Sequence, residues 1–188
     1  MEIGCFIGDL ISFLEKNHSC QVHGIEPSKK ACNFSKNKLN IDLEQNTFVN
    51  STKFKNSKEN LSKYDLIILD DVLSWVSRDI VLSTIGAIDW LLKPNGHLYF
   101  RDFTPYFAYA TENHHWKGQN IYNVKQPSGH KNFFLNSGKY HEIMNMSQIS
   151  EKYQTKKSVR KDSLLWSDTI LEKANIDTFL HPKINIFN

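Results

Sequence analysis

A mainly parallel α/β sheet with helices on both faces is the fold class that the sequence predicts, and three observations predict it. Over the first hundred residues, strand-like and helix-like patterns alternate with short punctuation. Leu66-Ile67-Ile68-Leu69 is an aliphatic run, apolar on both faces and ending at Asp70-Asp71, as a buried parallel strand should be. A glycine-bearing turn, Gly4 to Gly8, precedes a helical stripe, and an acid, Glu26, follows 18 residues after Gly8 at the end of the next strand pattern.

The elements follow in chain order. Leu10, Ile11, Phe13 and Leu14 fall at helical spacing after Gly8. Gln21 to Ile25 reads as a strand. Pro27-Ser28 breaks the chain and offers an N-cap for a helix running to about Leu39. A weak strand at Thr47 to Val49 leads into a polar loop, Asn50 to Lys63. After the aliphatic strand, Asp79 to Leu92 is a helix with Val81, Ile85, Ile88 and Leu92 on one face, stopped by Lys93-Pro94-Asn95-Gly96 before a strand from His97 to Phe103.

Beyond Thr104 the period is lost. Pro105 to Gly129 is aromatic and polar, long enough to be a functional loop. Asn132 to Leu135 and Lys139 to Met146, separated by Asn136-Ser137-Gly138, predict a β-hairpin insertion in the C-terminal half. A helix at Ser163 to Ala174 and a last strand at Lys183 to Phe187 complete the chain. The 188 residues fit a single domain, with residues 1–103 as a cofactor-binding half and 104–188 as the substrate side.

Composition narrows the class. A 40% hydrophobic content supports a real core, and 23 basic against 20 acidic side chains leave a net charge of only +3. Basic stretches occur at 29–38, 53–63 and 152–161, yet Tyr64 to Glu112 holds seven acids against three bases, so nucleic acid is not the expected partner. Three cysteines, Cys5, Cys20 and Cys32, lack metal-ligand spacing and fit a reduced compartment. No run approaches the roughly 20 apolar residues of a spanning helix, and the start is unlike a signal peptide, so the expected location is cytoplasmic, away from the membrane. No sequence feature sets an oligomeric state.

The glycine turn with Glu26 predicts an adenosine-containing cofactor: backbone amides approach the ligand, and the acid accepts hydrogen bonds from ribose hydroxyls. The plain structural alternative is a tight turn beside a solvated acid. In Glu2-Ile3-Gly4-Cys5-Phe6-Ile7-Gly8, Gly24-Ile25-Glu26-Pro27-Ser28, Tyr64 through Val76 and Leu92 through Leu98, taken in this order, the sequence resembles the class I S-adenosylmethionine-dependent methyltransferases over about residues 2 to 103. The resemblance implies a Rossmann-like methyltransferase fold and S-adenosyl-L-methionine as cofactor. It places Glu2, Gly4, Cys5, Phe6 and Gly8 in the loop around the methionine part and Glu26 and Pro27 at the ribose. Asp71 and Val72 then line the pocket after the fourth strand, and Ser51 stands near the adenine.

Two departures accompany it. Ser51 and Thr52 stand where the family usually has an acid, and Phe6 stands where it commonly has its middle glycine. The benzyl group is expected to point into the core or toward the substrate side. Met1 falls inside the first strand, so that strand is expected to be shortened and the pocket open. A nicotinamide dehydrogenase also uses a glycine turn and a ribose acid, but its three-glycine spacing is absent. A catalytically silent module of the same fold is the alternative from another class.

Methyl transfer from a sulfonium is a displacement that needs alignment and exclusion of water, with a base only where the acceptor must lose a proton. The expected substrate is a small molecule, for instance through a hydroxyl of a sugar or nucleotide-sugar. Asp102, at the carboxyl end of the fifth strand, and His114 and His115, beside Trp116 in the long loop, are the catalytic candidates. His130 and Tyr109 are further possible substrate contacts. Asp70, Asp71 and Asp102 are oxygen donors, but neighbours on a strand point to opposite faces, and no metal is expected.

Overall fold

The strand that leads into the first glycine is two residues long, Glu2–Ile3 (β1), and lies in the middle of a sheet. The computed structural model describes residues 1–55, 61–77, 79–104, 109–112, 122–125, 129–149 and 165–175. β1 is followed by α1 (Asp9–His18), β2 (Gly24–Glu26) and α2 (Lys29–Phe34), which runs on as one π turn, Ser35–Leu39. Ser28 caps α2, its hydroxyl accepting the Ala31 N–H at 3.3 Å, so the helix begins where the sequence places it.

Next come β3 (Glu44–Gln45), a 3-10 turn (Phe48–Asn50) and the short α3 (Thr52–Lys55). The weak strand expected at Thr47 to Val49 is therefore this turn, and β3 precedes it. Ser51 explains the switch: its hydroxyl donates to Phe48 O at 2.6 Å and accepts the Phe54 N–H at 3.1 Å, which bends the chain.

β4 (Tyr64–Asp70) pairs in parallel with β1 and with β5 (Leu92–Phe103); between them lie a 3-10 turn (Leu73–Trp75) and α4 (Val81–Leu91). The register shifts between Tyr64 and Leu66, so the stretch from Lys93 to Gly96 bulges from β5, with Asn95 at φ 59. β1 pairs over only two residues, yet on both sides: with β2 through Glu2↔Gly24 and Ile3↔Ile25, and with β4 through Glu2↔Ile68 and Ile3↔Leu69.

The C-terminal half departs from expectation. β6 (Tyr109–Glu112) and β7 (Tyr122–Lys125) form a separate antiparallel pair within the long segment after Thr104. The residues read as the first arm of a hairpin are a helix, α5 (Lys131–Leu135), and the second arm is β8 (Tyr140–Ile149). The helix expected from Ser163 is a strand, β9 (Leu165–Lys173), lying antiparallel between β5 and β8. The last strand expected at residues 183–187 lies outside the described residues.

The sheet order is β3-β2-β1-β4-β5-β9-β8, and β9 runs opposite to the other six strands. Ile3, Ile25, Ile67, Leu69, Leu98, Phe100 and Leu171 bury side chains along adjacent strands, under Ile88, Leu91 and Phe134. The parallel strands from β3 to β5 thus present their carboxyl ends together, where ligands bind in open α/β sheets.

Candidate functional site

The loop leaving β1 turns on three residues with left-handed backbone, Gly4 (φ 70), Phe6 (φ 49) and Gly8 (φ 72). Gly4 has a second constraint: a Cβ there would stand 2.8 Å from Val72 Cγ2, so only a bare backbone fits against the segment leaving β4. Phe6 takes the same backbone hand with a benzyl group, which is 65% exposed. Of the two directions expected for its ring, the core is therefore excluded. Cys5 between them is buried, its thiol pushed up by burial beyond the ordinary range, and belongs to the packing under the loop.

Glu26 ends β2 and is buried beside this loop. Its Oε2 accepts the Phe6 N–H at 2.9 Å and its Oε1 the Ser28 N–H at 2.8 Å. The carboxylate thus joins the β1 loop to the start of α2, and each oxygen keeps a further lone pair. Pro27 lies exposed between them. Glu2 is buried at the foot of the loop with its Oε2 unpartnered among the described residues, and burial, with Asp9 and Asp70 adding to it, pushes its carboxyl up to about 7.

Ser51 is fully buried, with its hydroxyl turned to its own backbone. The acid near this corner is Glu44, whose Oε1 accepts the Thr52 N–H at 2.7 Å. Asp71 has a left-handed φ of 53; its amide donates to Arg101 O, and its Oδ2 accepts the Trp75 indole N–H at 2.9 Å. Asp70 faces Arg101 at 3.5 Å, so the two adjacent acids and Asp102 are engaged in three directions.

Asp102 lies at the carboxyl end of β5, 1% exposed. Its Oδ1 accepts from the Ser74 hydroxyl and from the Phe103 N–H at 2.9 Å; its Oδ2 accepts the His130 N–H and faces His130 Nδ1, both at 2.6 Å. Burial opposes its charge, but the hydrogen bonds from His130 and Ser74 outweigh it and hold the carboxyl below the usual range. Gly129, at φ 64, permits this, because a Cβ there would lie 2.8 Å from Asp102 Oδ2. The Asp102 carboxylate thus faces four donor groups, one each from Ser74 and Phe103 and two from His130. His114 and His115 lie outside the described residues, and of Tyr109 only the backbone, in β6, is described.

The sequence profile of a family described as a methyltransferase domain matches residues 1–98, just over half of the chain. The chain belongs to this methyltransferase family. An uncharacterised protein of Rickettsia prowazekii is 28% identical over 97 residues, 51% of this methyltransferase-family chain, which spans only 39% of that protein's length. A Listeria monocytogenes structure described as an S-adenosylmethionine-dependent methyltransferase superposes with a TM-score of 0.71 at 12% identity, over 93% of this chain and 90% of that one. The 1,6-didemethyltoxoflavin-N1-methyltransferase of Burkholderia thailandensis, solved with 1,6-didemethyltoxoflavin and S-adenosylhomocysteine, superposes with a TM-score of 0.63 at 12% identity, over 93% and 70%. Both likenesses are likenesses of fold.

The methyltransferase loop fits S-adenosyl-L-methionine on its own observations. A Cβ at Gly4 would meet Val72, the Glu26 carboxylate closes β2, and Glu2 holds a buried carboxylate oxygen without a partner among the described residues.

Proposed function

We propose that the protein transfers a methyl group from S-adenosyl-L-methionine to a small-molecule acceptor. The observation that carries this reading is the join between Glu26 and the left-handed loop from Gly4 to Gly8, made through the Phe6 amide. In it, Glu26 accepts ribose hydroxyls on its remaining lone pairs, Gly4 and Gly8 let the backbone approach the methionine part, and Val72 closes the side nearest β4. Glu2 supplies acceptor oxygen at the foot of the loop.

When bound, the cofactor supplies a methyl carbon made electrophilic by its sulfonium. The chain's own part is alignment and exclusion of water. The acceptor side is the region over the carboxyl ends of β4 and β5, where Asp71, Ser74 and Asp102 stand. Incubation with methyl-labelled S-adenosylmethionine and a panel of small hydroxyl and amine acceptors tests the reading. Label in a small-molecule product, with matching S-adenosylhomocysteine, supports it. Binding of the cofactor without transfer to any acceptor favours a silent module instead.

A further inference from the structure

We infer that His130 is the base that takes the acceptor's proton, with Asp102 and Ser74 holding it in place. This rests on the methyl-transfer reading above and assigns a residue to it.

The argument starts from what each group can do. A carboxylate only accepts hydrogen bonds, so Nδ1 of His130, 2.6 Å from Asp102 Oδ2, must be the donor. In a neutral ring the proton on Nδ1 leaves Nε2 with a lone pair, and no described residue hydrogen-bonds to Nε2. The ring is also fixed. The His130 amide donates to the same carboxylate oxygen at 2.6 Å, Phe133 stacks on the ring with centroids 6.1 Å apart, and Gly129 allows the close approach. Ser74 and Phe103 hold the other carboxylate oxygen.

Place supports the role as much as chemistry. Asp102 closes β5, and Ser74 sits in the turn after β4, two residues beyond Val72, the side chain that packs against Gly4 of the cofactor loop. His130 is therefore one hydrogen bond away from the carboxyl end of the sheet, on the side of β4 and β5. A buried aspartate behind a histidine sets the tautomer and stabilises the imidazolium that forms when Nε2 takes a proton. In the step, the acceptor's lone pair forms the bond to the methyl carbon and the carbon–sulfur pair stays on sulfur. The acceptor's proton passes to Nε2, and the imidazolium is balanced by Asp102.

Diethyl pyrocarbonate, which acylates a reachable, unprotonated imidazole nitrogen, tests this on the full chain, with peptide mapping as readout. His130 is expected to react in the folded protein within about tenfold of the rate at His97, although its side chain is only 7% exposed against 44% for His97. A His130 that stays inert until the protein unfolds is a packing strut, and the inference is then wrong. S-adenosylhomocysteine binding, followed by calorimetry on the same sample, separates the two readings. Binding with an inert His130 overturns this inference alone, whereas no binding overturns the cofactor reading. On a hydroxyl acceptor, His130→Asn keeps a donor toward Asp102 but has no Nε2, so kcat should fall by about 10²- to 10⁴-fold with KM for the cofactor unchanged; an unchanged kcat overturns the assignment.

Discussion

Glu26 Oε2 accepts the backbone N–H of Phe6 at 2.9 Å, so the acid that ends β2 is tied to the left-handed turn that follows β1, twenty residues earlier. One carboxylate thereby joins the loop after β1 to the start of α2, since its other oxygen accepts the Ser28 N–H at 2.8 Å.

Phe6 is an unfavourable occupant of that turn. A side chain at φ 49 costs about 1–2 kcal/mol over glycine, and a ring 65% exposed recovers little of this by burial. After the larger chain entropy of glycine is set against it, Phe6→Gly should raise stability by about 0.5–1 kcal/mol, read as the urea midpoint. A loss of more than 1 kcal/mol would show that the ring packs.

Glu2 makes stability fall as pH rises. Its carboxyl titrates at about 7 in the folded chain against the ordinary 4.5, so between those values the unfolded state has released a proton that the folded state keeps. Stability is lost across that window, by a total on the order of 3 kcal/mol. Subtracting the pH profile of Glu2→Gln isolates this contribution; parallel profiles from pH 4.5 to 8 would contradict it.

Lys173 is buried, 5% exposed, at the carboxyl end of α4, where it donates to Asp89 O and to Leu92 O at 3.0 Å and faces Asp89 Oδ1 at 3.3 Å. Lys173→Met keeps the chain length but leaves those carbonyls without their donor, and should cost about 2–3 kcal/mol in chemical denaturation.

Gly129→Ala combines a left-handed φ with a Cβ 2.8 Å from Asp102 Oδ2. A loss of about 2 kcal/mol is expected, with an altered His130 ring signal in NMR spectra. An unchanged spectrum would show that the contact with Asp102 does not depend on the glycine.

These residues divide by how much of them the sequence discloses. Gly4, Gly8, Glu26 and Asp71 sit within local motifs whose spacing is fixed by single strands and turns, so the alternation of strands and helices over the first hundred residues is legible, apart from the turn at Phe48–Asn50 that reads as a strand. β9, an inner strand between β5 and β8, has the sequence pattern of a helix instead. Its buried set includes Ser167, Asp168, Thr169 and Lys173, which hides the apolar signal. The partners that satisfy two of them lie far off in the chain: Tyr99 and Arg101 for Asp168, Asp89 and Leu92 for Lys173. α5 failed for a related reason. Its apolar run is too short to show a period, and Phe134 is placed by Phe100 and Tyr140. His130 was visible as a histidine but not as Asp102's partner, since Ser74, Asp102 and His130 stand 28 residues apart from one to the next.

Titration calorimetry of the full chain with S-adenosylhomocysteine, beside Glu26→Ala, tests the central claim most directly. The account predicts saturable one-to-one binding, weakened by about 1–3 kcal/mol in the variant as ribose contacts are lost. No binding to the wild-type chain, or the same affinity in both proteins, would contradict it.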